Sequence, residues 1–325
     1  MDTARRRHSP DLFRRYDGNP ILSAHDWPYR VHSVFNAGAV RLDSGEVLLL
    51  ARAEDMRGLS HLCAARSADG LTDWRIDPAP TMSPDPRGHP EEVWGLEDPR
   101  ITFLSERGEY AVAYTAYSRG GPGVSLAFTH DFHTFRRSGM VFPPDDKDAA
   151  LFPCRFGGRW AMVHRPTSPD REAHVWLSFS PDLKHWGDHT ILMEARRGAW
   201  WDAGKIGLST PPIETERGWL ILYHGVRVTA AGSLYRLGLA LLDRDDPLRV
   251  LLRGEEWVFG AEEPYERVGD VPDVVFPCGA VVGEDGDGLH LYYGAADTSL
   301  CVATSRVTML LDWLETHGRR PDGDP

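Results

Sequence analysis

The chain has 325 residues, 42% of them hydrophobic, enough to bury a large core in one big domain or two smaller ones. A formal net charge of -12 argues against a nucleic-acid-binding surface, so any anion site must be assembled from a few chosen cations. The cysteines, Cys63, Cys154, Cys278 and Cys301, form no CxxC pair, which disfavours a zinc ribbon or a disulfide framework and suits buried thiols in a reducing cytosol.

In chain order, the start Met1-Asp2-Thr3-Ala4-Arg5-Arg6-Arg7-His8 has no apolar stretch behind its arginines. No uninterrupted apolar run reaches the roughly 20 residues that cross a bilayer. These features lead to the expectation of a cytoplasmic protein with neither nucleic acid nor membrane as a partner. The chain then reads as short apolar or alternating runs divided by Gly, Pro, Asp and Asn, the pattern of strands joined by tight turns. Helical periodicity is confined to Thr308 to His317, followed by Gly318, and predicts one C-terminal helix with a glycine stop.

The strand runs share a pattern: apolar run, Gly-containing turn, second apolar run. It recurs at Asn36 to Arg52, Asp98 to Tyr114, Ala150 to Arg165, Ser209 to His224 and Cys278 to Tyr293. Such units, at a spacing of roughly 40–60 residues, are blade-sized. Several close on an Asp-aromatic turn, at Ser67 to Trp74, Thr129 to Phe135 and Ser180 to Trp186. The expected fold is all-β, a five-bladed β-propeller with a short C-terminal helix. It forms a single domain over residues 1–325, with residues 1–17 as an N-terminal arm and 306–325 as C-terminal helix and tail. A pair of β-sandwich domains is the alternative.

In a propeller the unit starts converge on one funnel. Asn36, Asp98, Lys147, Lys205 and Asp273 or Asp297 lie near unit starts or inner-strand ends, which predicts carboxylates on one wall and cations on another. The stretch Gly95-Leu96-Glu97-Asp98-Pro99-Arg100-Ile101 sets carboxylates and a guanidinium against a proline before a strand. Asp98 there suits a general acid if its neighbours raise its pKa. Alternatively it caps a turn while Arg100 pairs with Glu97 on the surface. Lys147, Arg165 and Lys205 read singly as solvated charges; converging in a funnel they suit a multiply charged oxyanion such as phosphate.

Trp94-Gly95-Leu96-Glu97-Asp98-Pro99-Arg100-Ile101, Lys147 to Pro153 with His164-Arg165-Pro166, Lys205-Ile206-Gly207, Tyr223-His224-Gly225-Val226 and Tyr292 to Thr298 together resemble glycoside hydrolase family 130, over roughly residues 18–305. Its members are mostly β-mannoside phosphorylases on a five-bladed propeller. The resemblance implies an inverting phosphorylase that cleaves a β-mannoside or manno-oligosaccharide with inorganic phosphate. The products are α-mannose 1-phosphate and a shortened sugar. Phosphate is a co-substrate and no cofactor is needed. By the same resemblance Asp98 is the general acid, acting through the sugar's own 3-hydroxyl, and Lys147, Arg165 and Lys205 bind phosphate. Asn36, Arg52 and Asp297 contact the mannosyl unit, and His224 lines the site.

One departure is Lys147, where these phosphorylases often carry Arg: lysine keeps the charge and loses the bidentate fork. The family also contains hydrolases lacking the cationic set. A β-mannoside hydrolase and a noncatalytic carbohydrate-binding propeller are therefore the alternatives. One dominant carboxylate suits phosphorolysis, because phosphate arrives as an anion, whereas an inverting hydrolase needs two. Trp94, Trp200, Trp201, Tyr114 and Tyr293 are candidate sugar-stacking or packing aromatics. Glu91-Glu92 and Asp145-Asp146 read as loop charges. His61, His130, His133 and His185 lack metal-ligand spacing, so no metal is expected. A homo-oligomer is compatible with all of these readings.

Overall fold

The computed structural model describes residues 12–167, 173–230 and 232–321; the arginine run at residues 5–7 lies outside them. The apolar runs form antiparallel strands that are buried on both faces. In Val47–Glu54, Val47 and Leu49 join one core cluster while Leu48 and Leu50 join another. Successive side chains of a strand point to opposite faces, so a continuous apolar run is what a sheet sandwiched between two others requires.

The strands pair into five sheets. Their inner strands are Ser33–Arg41, Leu96–Leu104, Asp146–Phe156, Lys205–Leu208 and Val275–Val282. Three sheets have four strands, and the other two have five and seven. The core is divided into clusters that each bridge two neighbouring sheets: first to second, second to third, third to fourth, fourth to fifth, and fifth back to first. Sheets that bury both faces in cyclic order make a propeller arrangement, not a pair of sandwiches. The fold is all-β with a small C-terminal helix.

The Asp-aromatic turns follow the third strand of a sheet. Asp69, Asp131, Asp182 and Asp243 each accept two backbone N–H groups through Oδ1, from residues two and three positions on. An aspartate that mimics a backbone turn in this way terminates the strand reproducibly. The C-terminal helix runs Val307–His317 and buries Val307, Leu310, Leu311 and Leu314 against the fourth and fifth sheets. Gly318 ends it by donating its N–H to the Leu314 carbonyl, and Gly318–Arg319 then adds a short strand to the fourth sheet.

The segment expected to be an N-terminal arm is, from residue 14, part of the last sheet. Arg14–Arg15 and Leu22–Ser23 both pair with Ser299–Arg306, so strands from opposite ends of the strand order share one sheet and close the ring. Arg15 clasps this closing strand to the fourth-sheet side: its guanidinium donates to both carboxylate oxygens of Glu266 at 2.7 and 3.0 Å and to the Gly260 carbonyl. Glu266 is fully buried and also accepts from the Tyr293 hydroxyl. Of the thiols, Cys63, Cys278 and Cys301 are buried, while Cys154 is only partly so. Among the described residues no helix is long and apolar enough to cross a membrane.

Removing one partner of a buried ion pair leaves an uncompensated charge and costs about 3–5 kcal/mol. Arg15→Ala is therefore expected to lower the unfolding free energy by about that amount in denaturant titration. Arg14→Ala, whose side chain is 77% exposed, is expected to stay within about 0.5 kcal/mol of the parent. Equal effects would show that the clasp does not close the ring.

Candidate active site

Glu97 and Asp98 are neighbours in a strand, and in regular pleat they would point to opposite faces. Both nevertheless hydrogen-bond Arg52, at 3.2 and 3.1 Å. The device that permits this is a β-bulge, which recurs at the same point of three inner strands. Asn36-Ala37 stand opposite Ala51, Asp98-Pro99 opposite Tyr114, and Asp148-Ala149 opposite His164. The first residue of each bulge is left-handed, with φ of 49° at Asn36, 51° at Asp98 and 55° at Asp148. Among residues with a Cβ, Asn and Asp tolerate that conformation best. Pro99 fits the second position because a bulged residue lacks a ladder bond to donate.

The bulges deliver Asn36, Asp98 and Asp148 to one pocket of about 240 Å³, shared with Arg52, Lys147, Arg165, Lys205, His224 and Asp297. Every residue that the resemblance marks as a site residue is thus brought together. Tyr235, Phe276, Val271 and Val274 complete the lining. Arg52 and Arg165 hold equivalent places on their second strands, each opposite the residue just before the bulge.

The polar groups are held in a continuous network. Asn36 Nδ2 donates to Asp98 Oδ1 at 2.9 Å. Lys147 Nζ donates to Glu97 Oε2 at 3.1 Å. Arg165 Nε donates to Asp148 Oδ2 at 2.7 Å, and His224 Nε2 lies 3.4 Å from the same oxygen. Lys205 Nζ sits 5.5 Å from the centre of the Tyr235 ring, within cation–π range, and no ion pair joins it to a carboxylate among the described residues. Behind Lys147 and Arg165, Asp146 accepts from the Arg165 amide at 3.1 Å and from His164 Nδ1 at 2.6 Å. Asn36 Oδ1 and His224 Nδ1 are buried without a partner among the described residues. Two glycines make room: a Cβ on Gly294 would overlap Asn36 Oδ1, and one on Gly207 would overlap Asp148 Oδ2 and come within 2.7 Å of the His224 ring.

The pocket separates its acids. Burial alone would raise the Asp98 pKa, but Arg52, Lys147, the Asn36 hydrogen bond and Arg100 together hold it below the ordinary value. Asp148 is held well below it against the same burial by Arg165, His224 and Arg100. Burial pushes His224 down, so its ring is neutral at pH 7. Asp297 moves the other way, to about 6, because burial and the Asp98 charge outweigh Arg52 and Lys147.

Several expectations need correction. Arg100 is not a surface partner of Glu97: it is 1% exposed and bonds Asp148. None of the aromatics chosen for sugar stacking lines the pocket. Tyr114 and Tyr293 are buried with their hydroxyls on Glu92 and Glu266, Trp201 packs on Tyr223, Trp94 packs edge-on to Tyr117, and Trp200 faces a different cavity. Glu92 and Asp146 are buried acceptors, not loop charges. Asp273 is exposed, while Asp297 lies in the pocket. Asp148, Tyr235 and Phe276 line the pocket without having been given a role, and Glu97, noted only as a carboxylate of the Asp98 stretch, supports it. The signal for Asp148 was the repeated Asn or Asp followed by a small or proline residue at unit starts.

An aspartate whose folded pKa is about 6, against an ordinary 3.8, favours the folded state below the lower value, and that contribution is lost as pH rises through the higher one. Asp297→Asn cannot ionise. It should unfold like the parent near pH 4 and be more stable by about 1–3 kcal/mol at pH 8. Chemical denaturation at the two pH values measures this; a difference that does not grow with pH would contradict the raised value.

Comparison with known proteins agrees with this geometry. A family profile described as glycoside hydrolase 130, beta-1,4-mannooligosaccharide phosphorylase, matches residues 3–316. The beta-1,4-mannooligosaccharide phosphorylase of Ruminococcus albus is 34% identical over 314 residues, covering 94% of this chain and 92% of that protein. The solved beta-1,2-mannobiose phosphorylase of Listeria innocua, in complex with beta-1,2-mannobiose, superposes with a TM-score of 0.83 at 31% identity, covering 94% of this chain and 99% of that one. A further structure, at TM-score 0.80 and 26% identity over 97% of this chain and 98% of that one, is described with the statement that this family of mannoside phosphorylases contains glycoside hydrolases targeting beta-1,2 mannosidic linkages in Candida mannan. The chain belongs to glycoside hydrolase family 130.

Proposed function

We propose that this protein is an inverting phosphorylase that cleaves a β-mannoside or manno-oligosaccharide with inorganic phosphate, releasing α-mannose 1-phosphate and a shortened sugar. The observation that carries the reading is the meeting of Lys147, Arg165 and Lys205 with Asp98 in one pocket. Two of the relatives named above, from Ruminococcus albus and Listeria innocua, are named as phosphorylases of mannosides, which supports the same reading. We likewise take each of the five sheets as one blade, the larger two carrying added strands, and treat the chain as one catalytic domain working in the cytoplasm with no cofactor besides its co-substrate.

The roles follow from the charges. Glu97 and Asp148 hold Lys147 and Arg165 in place, and Lys205 adds a cation without a carboxylate. Phosphate enters against these three. A phosphate oxygen attacks the anomeric carbon on the face opposite the departing sugar, the carbon–oxygen bond breaks, and the leaving oxygen takes a proton that originates on Asp98 and passes through the 3-hydroxyl. Asn36, Arg52 and Asp297 hold the mannosyl hydroxyls, and neutral His224 accepts from one of them.

Asp98 is ionised in the unliganded pocket, because Arg52 and Lys147 hold its pKa down. A general acid needs a proton, and phosphate supplies the condition for it: its negative charge offsets Lys147 and raises the Asp98 pKa. A hydrolytic reading has one specific support, the Asp297 carboxylate in the same pocket, which could activate water. Phosphate dependence separates the two. Mannobiose turnover should require phosphate and yield mannose 1-phosphate; free mannose formed equally fast without phosphate would establish the hydrolase. Asp98→Asn should lower turnover by about 10²–10⁴-fold with the fold intact.

Lys205→Ala and Arg165→Ala test the anion wall separately. A hydrogen bond to a charged group is worth about 1.5–3 kcal/mol, so kcat/KM for phosphate should fall by roughly one to two orders of magnitude. Lys205→Ala should leave the unfolding midpoint nearly unchanged, whereas Arg165→Ala should also lower it by removing one of the cations paired with buried Asp148. Phosphate kinetics unchanged in both variants would remove the cationic wall from the account.

A further inference from the structure

The hairpin of Gly218–Thr229 and Gly232–Leu242 has two faces. His224 and Tyr235 reach from one into the catalytic pocket. Arg227 and Arg236 line a separate cavity of about 570 Å³, together with Trp200, Trp257, Glu255 and Glu256. Strand alternation accounts for the division, since Tyr235 and Arg236 are consecutive.

The charges in this cavity are unsettled. Neither Arg227 nor Arg236 forms an ion pair with a carboxylate among the described residues, and burial and the neighbouring Arg227 both weaken protonation of Arg236. The Arg236 guanidinium lies over Trp257, its carbon 4.4 Å from the ring centre, and forms no side-chain hydrogen bond among the described residues. Stacking of this kind leaves the in-plane N–H groups free for a bidentate oxyanion contact. The contrast is Arg196, which stacks over Trp200 at 4.6 Å but spends its donors on Asp202 and the Gly254 carbonyl. Trp200 itself is 41% exposed, a large apolar surface left at the cavity wall.

We propose that this cavity is a second, noncatalytic binding site for a phosphorylated sugar. The arginines take the phosphate, and the tryptophan surface takes the apolar face of the ring. The glutamates narrow the class: Glu255 is paired with Arg319, which leaves Glu256 to accept hydrogen bonds from hydroxyls and repel a polyphosphate, and this selects a ligand with one anionic end and a hydroxyl-rich body. The volume lies within the range of small-molecule sites. The assignment stands independently of the reaction proposed above, because it rests on residues outside the catalytic pocket.

Calorimetric titration with α-mannose 1-phosphate tests it. The parent should bind two molecules per chain. Arg227→Ala with Arg236→Ala should weaken one of them at least about tenfold, while initial phosphorolysis rates stay within about twofold. Arg165→Ala with Lys205→Ala should weaken the other and leave this one. Trp200→Ala, at an exposed position, is a second variant that should also weaken the site. Mannose and inorganic phosphate should each bind it more weakly than the sugar phosphate.

A one-site isotherm in the parent, or two sites that both ignore Arg227→Ala and Arg236→Ala, overturns the assignment. So does tighter binding of adenosine monophosphate, which would make the ligand a nucleotide. A change of sedimentation in the arginine variants would do the same by identifying the face as a contact between copies. Failure of phosphorolysis with the second site intact would instead count against the proposed reaction alone.

Discussion

The pocket depends on one buried guanidinium. Arg100 leaves the second sheet just after the Asp98 bulge, bonds Asp148 of the third sheet at 3.3 Å, and donates to the Leu208 and Ser209 carbonyls at the end of the fourth sheet's inner strand. It also returns a bond to the Asp98 carbonyl. A charge that is 1% exposed is tolerable only when paired and fully hydrogen-bonded. Meeting that condition fixes three sheets at one spacing around the axis. Lysine would keep the charge but could not span these acceptors with a planar fork.

From that constraint the rest of the site follows. Asp148 is shared between Arg100, Arg165 and His224, so it orients one proposed phosphate ligand and one proposed sugar contact at once. Gly207 must lack a side chain because Asp148 and His224 meet over it. Asp146 and His164 steady the same strand pair from behind. The proposed catalytic groups therefore sit on rigid inner strands and not on loops, which favours accurate positioning of a reacting bond.

The sequence made much of this legible. Apolar runs with Gly turns revealed the repeated strand units, Thr308 to His317 the helix within one residue of its start, and charged residues at unit starts the pocket. What it concealed has one physical cause. Periodicity assumes two residues per pleat, and a bulge breaks that count. Asp148 therefore looks like an ordinary neighbour of Lys147, and Arg100 like the exposed end of a turn. Tyr235 and Phe276 escape for another reason: aromatic residues abound in the core, and only the tertiary path of the long hairpin separates Tyr235, at the pocket, from Tyr223, packed beneath Trp201.

The opposed shifts of Asp98 and Asp297 bear on the order of events. In the empty pocket Asp98 carries the charge and Asp297 is the acid that titrates near neutrality. One cation is shared: Lys147 helps hold Asp98 ionised and, in the proposed reaction, also receives phosphate, and it cannot serve both anions at full strength. Phosphate on Lys147 would therefore raise the pKa of both Asp98 and Asp297, each of which that cation holds down. Asp98 in such a pocket would hold a proton more readily when the nucleophile is present. That arrangement suits a phosphorylase better than a hydrolase, because with phosphate absent Asp98 stays ionised and has no proton to give the leaving oxygen.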